Sequence, residues 1–341
     1  MRRDSRFAPL RGLVALMGAV ACAPVQGATG PWFDRPEVKL RLVTPWQVAA
    51  PAATLEAGLE VELTPGWHAY WSNSGDAGFA PRLAPAPGGA VERVRVDYPA
   101  PTRFDLPGGL VAFGYAERVT YPLALELARV DAASTAQVAL AVDFLVCAEE
   151  CIPYTATLAV EQAIGAPALA DPGSAARLAT WRARVPRPLA SLAGVAGTAG
   201  APEVAARWLP GDDPWSTLEL AFAGGGLELR APQLFFASHP LLALDRPSFS
   251  AEQHRFLFRV PVRPLDETKP LPSTLEVAWT LTGIALGGET LSLAGTSRVA
   301  PLAAARSRGL VGWGAAAFVL LIFAVLAHRR HRRRAESTIA P

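Results

Sequence analysis

The 341 residues are 51% hydrophobic and 18% charged, with a formal net charge of +2 and three cysteines. The positive balance sits at the two ends. Without residues 1–27 and 328–341 the body is mildly acidic, which argues against nucleic acid as a partner. The body of roughly 280 residues is more than one small domain needs, so two domains are expected.

In chain order, Arg2, Arg3, Arg6 and Arg11 precede an apolar run from Leu13 to Ala23, and Val25-Gln26-Gly27 offers small residues for cleavage after Gly27. Residues 1–27 therefore read as a secretory signal, and Cys22 leaves with it. A lipoprotein-like reading of Ala19-Val20-Ala21-Cys22 lacks the usual upstream leucine.

Residues 28–165 read as a β-sandwich domain. Val94, Val96 and Tyr98 alternate with Arg93, Arg95 and Asp97, and Val138, Leu140, Val142, Phe144 and Val146 repeat at the period of half-buried strands. Spacers such as "APAPGG" supply the turns. The second strand runs straight into "VCAEECIPY" (146–154), which holds Cys147 and Cys151.

On a straight strand these cysteines sit about 13 Å apart at roughly 3.3 Å per residue, beyond the limit of about 7 Å for a disulfide. Pairing therefore requires a turn within Ala148-Glu149-Glu150, with Cys147 ending one strand and Cys151 opening the next. Closing so short a loop removes only about 2 kcal/mol of chain entropy, against nearly 5 for a loop of a hundred residues. A staple here is weakly useful, yet structural disulfides are common outside the cytoplasm, so spacing and compartment leave both redox and structural readings open. Glu149 and Glu150 disfavour thiolate and also suit a solvated hairpin tip. A third reading is a soft-cation site: Cys147, Cys151 and His68 are the available ligands for Cu(I), without a further Cys, Met or His at close spacing.

Residues 166–190 read as a helical linker, with Pro172 at the helix start and Leu178, Trp181 and Val185 at helical spacing. Residues 191–303 read as a second β-sandwich. Phe256, Phe258, Val260 and Val262 alternate with Arg255 and Arg259, and Leu275, Val277, Trp279 and Leu281 repeat the pattern. "FAGGGLEL" lacks the Lys-Ser/Thr of a phosphate cradle and reads as a hairpin turn. No spacing of Ser, His and Asp recommends a hydrolase triad.

Gly309 to Ala327 carries no charge, and its 19 residues span about 28 Å, which matches a bilayer core of about 30 Å. "HRRHRRR" follows at once and marks residues 328–341 as cytoplasmic. The expectation is a single-pass inner-membrane protein with its body in the periplasm.

Four stretches, "GWHAYWSNSGDAG" (66–78), "VDYPAPTRF" (96–104), "FGYAERVTYPL" (113–123) and "VCAEECIPY" (146–154), together resemble the exported N-terminal domain of the DsbD and ScsB protein-disulfide reductases. The resemblance covers roughly residues 30 to 165, and more loosely the helix and the second β domain. It implies an all-β fold of two immunoglobulin-like sandwiches joined by a short helix. It also implies that Cys147 and Cys151 are an exchanging pair, with Cys151 bonding the partner and Cys147 resolving. Phe113 and Tyr115 match the family's aromatic cap over the disulfide, Tyr70 matches an aromatic beside it, and His68 is its neighbour. No cofactor or metal is implied. The implied partners are exported thioredoxin-like or disulfide-isomerase-like proteins. The pair here encloses three residues, which leans toward the ScsB branch. The relatives continue into a cysteine-bearing multi-helix membrane domain and a thioredoxin-like domain, whereas the one apolar segment here has no cysteine. A separate membrane electron-transfer protein is therefore the expected donor, and a non-catalytic scaffold with a structural disulfide is the competing class.

Overall fold

The computed structural model describes residues 28–300, apart from 129, 130, 132, 193–201, 211–214, 225, 253, 254, 270 and 287. The expected signal, apolar segment and basic tail (1–27, 309–327 and 328–341) lie outside the described residues. No helix among the described residues is long and apolar enough to cross a membrane. These residues are mostly β, 63% strand and 7% helix, as the alternating patterns predict.

They form two compact units, both discontinuous in sequence. The first comprises the chain up to Ala69, Pro81–Asp97 and Ala116–Arg182; the second comprises Tyr70–Ala80, Tyr98–Tyr115 and the chain from Ala183 on.

In the first unit one sheet runs in the order Phe33–Asp34, Val38–Val43, Thr54–Leu63, Arg118–Leu127, Val91–Val96. The facing sheet holds Leu169–Ala170, Trp46–Ala49, Cys151–Ile164 and Ser134–Cys147, with Arg82–Pro85 paired to the last of these. Leu40, Leu42, Leu59, Leu123, Leu125, Val138, Leu140 and Val142 are all buried, each from the apolar phase of a strand. This is the arrangement of an immunoglobulin-like sandwich.

The helix forms over Pro172–Arg182 and ends before Val185. Asp171 caps it, its Oδ1 accepting from Ser174 N at 2.6 Å, and Pro172 occupies the first turn where its missing N–H costs nothing. The segment is packed rather than a free tether. Leu178 is buried close to Gly58, and Arg177 Nε reaches Glu60 Oε1 at 3.2 Å. Glu60 in turn accepts from Arg41 Nε at 2.7 Å, and the Arg41 guanidinium lies 4.1 Å from the centre of the Trp32 ring. The buried carboxylate thus ties helix to sheet.

The second unit is also two-layered. One sheet orders Arg187–Pro188, Glu289–Val299, Leu275–Leu286 and Glu228–Phe236; the other orders Glu203–Leu209, Ser216–Ala223, Arg255–Pro264 and Leu242–Leu244, with Ser248–Glu252 on Arg255–Pro264. Phe222 lies at its centre, edge-on to Phe258 at 5.7 Å and to Trp279 at 5.0 Å. A Cβ on Gly295 would come within 2.4 Å of the Trp279 ring, so glycine is what lets that indole lie against its neighbouring strand.

The glycine run corrects the reading of "FAGGGLEL". Ser216–Ala223 pairs with strands of one sheet and Glu228–Phe236 with a strand of the other, so the turn passes the chain between layers instead of closing a hairpin. Gly224 and Gly226 have positive φ, which explains why glycines serve there. Local sequence marks such a turn but does not say which sheet the next strand joins.

Candidate functional site

Ser134–Cys147 and Cys151–Ile164 form one antiparallel hairpin whose register runs unbroken from Ser134↔Ile164 to Cys147↔Cys151. The chain turns within Ala148-Glu149-Glu150, all exposed, and Ala148 N donates to Glu150 O at 2.9 Å. That turn brings the two Cα atoms to 4.1 Å and the sulfurs into a disulfide. The chain thus turns at the hairpin mouth, as the reach of a disulfide requires.

The two cysteines differ in surroundings. Cys147 is 2% exposed, whereas Cys151 lies at the exposed edge of its strand. His68 pairs through its backbone with Cys147 on the other side of the hairpin and is 6% exposed. The structure therefore brings Cys147, Cys151 and His68 together in the first unit.

Burial lowers the His68 pKa below 6.5, because a charged imidazole would lose its hydration there. The ring beside the pair is neutral at neutral pH and supplies no positive charge to a thiolate. With Glu149 and Glu150 at the tip, the pair is electrostatically quiet, unlike a cysteine activated by a cation. The same shift has a consequence for stability. As pH falls below 6.5 the unfolded chain takes up a proton that the folded chain refuses until a lower pH. The stability that the neutral ring allows is present above 6.5 and is lost as pH falls through the folded value. His68→Gln, which keeps a neutral side chain, is expected to flatten the slope of stability against pH below about 6.5. Urea titrations at several pH values measure this, and an unchanged slope would contradict it.

The other three site residues lie in the second unit. Tyr70 is fully buried over Gly78, where a Cβ would come within 2.2 Å of its ring at φ +86°. Tyr115 is buried and its hydroxyl donates to Pro99 O at 2.6 Å. Phe113 is half-buried on Val111–Ala116, opposite Arg103 of Thr102–Asp105, and its ring stands edge-on to Phe235 at 5.2 Å.

This placement gives four residues of "GWHAYWSNSGDAG" a structural role. His68 meets Cys147, Tyr70 covers Gly78, Asn73 Nδ2 donates to Phe236 O at 2.7 Å, and Asp76 Oδ2 accepts from Val111 N at 2.8 Å. The contact of Phe113 with Phe235 is not legible in the sequence: the strand Glu228–Phe236 mixes Glu228, Arg230 and Gln233 with apolar residues, and nothing in it points to residue 113.

Among the described residues no group of three or more His, Cys, Asp or Glu is placed to hold a metal ion, so the Cu(I) reading finds no ligand set.

Residues 39–162 match the family model described as "Thiol:disulfide interchange protein DsbD, N-terminal". The fold is similar to the crystal structure of the N-terminal periplasmic domain of ScsB from Proteus mirabilis, with a TM-score of 0.60 and 17% identity over 81% of this chain and 99% of that one. At that identity the likeness is one of fold. No curated protein matches the chain.

Proposed function

We propose, from the premise that residues 39–162 form a DsbD-type N-terminal domain, that the protein is a periplasmic thiol-disulfide interchange protein working through Cys147 and Cys151. One observation carries the reading. A cross-strand disulfide closes the tip of a hairpin that is already held by its ladder, with one cysteine buried and the other exposed. A staple there adds little, whereas an exposed sulfur with a sheltered neighbour suits exchange.

A thiolate of a reduced donor attacks the Cys151 sulfur, forming a mixed disulfide and releasing Cys147. The donor's second thiol then attacks its own bonded sulfur, leaving the donor oxidised and the pair reduced by two electrons. The reverse sequence passes those electrons to an exported thioredoxin-like or disulfide-isomerase-like acceptor. In this reading Phe113 and Tyr115 serve as the aromatic cap and Tyr70 and His68 as supporting residues, on the strength of the family resemblance. The donor is a separate membrane electron-transfer protein, and residues 309–327 anchor the body on the periplasmic side of the inner membrane.

Labelling with a membrane-impermeant maleimide, in cells whose outer membrane has been permeabilised, is expected to catch the pair in both oxidised and reduced states. A pair that is always oxidised favours the scaffold with a structural disulfide. A reduced pair that the reagent reaches only after lysis contradicts the periplasmic assignment.

A further inference from the structure

We propose that Tyr154, clamped by Phe33, Phe144 and Glu37, is a positioning residue for exchange at the Cys147–Cys151 pair, holding the mouth of the hairpin closed while the disulfide is open. This rests on the exchange reading above. Every residue of the clamp lies in the first unit, as the disulfide does. Tyr154 stands opposite Phe144 across the hairpin, and their rings stack at 5.4 Å and 26°. Phe33 meets both edge-on, Phe144 at 5.8 Å and Tyr154 at 5.9 Å. The Tyr154 hydroxyl donates to Glu37 Oε2 at 2.5 Å. That bond is the main cause holding its pKa above the ordinary 10, so the phenol is a donor at neutral pH.

The other side of the clamp is fixed by the facing sheet. Phe33–Asp34 and Val38–Val43 are joined by a tight turn over residues 35–38, closed by Arg35 N to Val38 O at 2.9 Å and Val38 N to Arg35 O at 3.2 Å. Thr64 secures this turn twice, its N donating to Glu37 O at 2.9 Å and its Oγ1 to Pro36 O at 2.5 Å. The Arg35 guanidinium lies 4.2 Å from the centre of the Phe33 ring. Phe33 and Glu37 therefore reach Tyr154 from a turn that owes nothing to the disulfide.

Only two residue pairs, Leu145↔Pro153 and Val146↔Ile152, separate the clamp from Cys147↔Cys151. Side chains alternate along a strand, so Tyr154 and Phe144 project from the face opposite the cysteines and act through the backbone. Reduction adds two electrons and two protons, and the covalent link is gone. What then keeps the Cys147 thiol within reach of Cys151 is the strand pairing that the clamp secures. A closed mouth raises the effective concentration of one thiol at the other, which favours the disulfide. A clamp that merely stabilised the fold would act on both redox forms alike and leave the potential unmoved.

The test is the equilibrium of the full chain with glutathione, in which the protein disulfide and two glutathione thiols give two protein thiols and one glutathione disulfide. Tyr154→Leu removes the stack, the edge contact and the hydrogen bond. It is expected to weaken the protein disulfide about three- to tenfold, which at about 30 mV per tenfold raises the potential by about 15–30 mV. Tyr154→Phe and Glu37→Ala should move it the same way by less, and Glu37→Gln, which keeps an acceptor, by less than Glu37→Ala. A folded Tyr154→Leu protein with the unaltered potential, when both proteins still exchange with thioredoxin, overturns the clamp and leaves the exchange reading standing. If Tyr154→Leu does not fold, unaltered potentials in both Tyr154→Phe and Glu37→Ala overturn it instead. A natural-sequence chain that thioredoxin cannot reduce overturns the exchange reading, and the clamp with it.

Discussion

Serine at Cys147 is expected to leave a protein that accumulates a covalent complex with a thioredoxin-like partner, while serine at Cys151 abolishes both trapping and exchange. The asymmetry follows from burial. Cys151 occupies an exposed strand edge and Cys147 is 2% exposed between its own hairpin and His68. An incoming thiolate must approach the sulfur along the line of the bond it breaks, and only the exposed sulfur offers that path. In the proposed exchange Cys147 carries the mixed disulfide forward by releasing the reduced partner; without Cys147 only the partner's second thiol can release it, by the back reaction, so the complex accumulates. The fold should tolerate either change, because the hairpin keeps its full ladder and the closed loop contributes only about 2 kcal/mol. Non-reducing electrophoresis of each variant with oxidised thioredoxin, whose disulfide the single free thiolate attacks, reads the result. Trapping by Cys151→Ser and not by Cys147→Ser would reverse the assignment of the two sulfurs.

Truncating Leu140 to alanine should give the largest loss of stability of any change that leaves the site chemistry alone. Leu140 is 0% exposed, lies at the middle of the hairpin opposite Leu158, and fills the space between the two sheets of the first unit. Leu→Ala at such a position costs about 3–5 kcal/mol, from lost burial and the cavity that remains. That is a large share of the total for an ordinary domain of about 5–15 kcal/mol. Cys147 lies seven residues along the same strand and Cys151 seven residues before Leu158 on its partner, with an uninterrupted register between. Under conditions where the variant is folded, the rate of disulfide reduction should therefore match that of the unaltered protein. Urea unfolding and dithiothreitol reduction of one sample measure the two quantities. A slower or faster reduction would mean that the interior of the sandwich, and not just its tip, sets exchange.

The hairpin was legible because two constraints on it are local. Alternation from Val138 to Val146 predicts a strand, and the reach of a disulfide forces a turn among Ala148, Glu149 and Glu150. The helix at Pro172 was legible from its proline and apolar spacing, but its packing on Glu60 and Gly58 was not, because those partners lie more than a hundred residues away. The same holds for Tyr70–Ala80 and Tyr98–Tyr115, which join the unit built by the later chain. A period-2 pattern reports that one face of a strand is buried, not against what. Phe235 is the sharpest instance: its neighbours Leu234 and Phe236 are equally apolar, and only the three-dimensional register singles it out as the one meeting Phe113 and Trp71.

The central claim is that the Cys147–Cys151 disulfide is an exchanging bond and not a structural one, and its reduction potential tests that most directly. Equilibrating the full chain against thioredoxin or glutathione buffers, quenching with acid and counting alkylated thiols gives the value. Exchange with thioredoxin-like partners requires a potential in their working range, about −120 to −270 mV, where both forms are populated. A value below about −300 mV, with no reduction by thioredoxin, is that of a structural disulfide and would contradict the account.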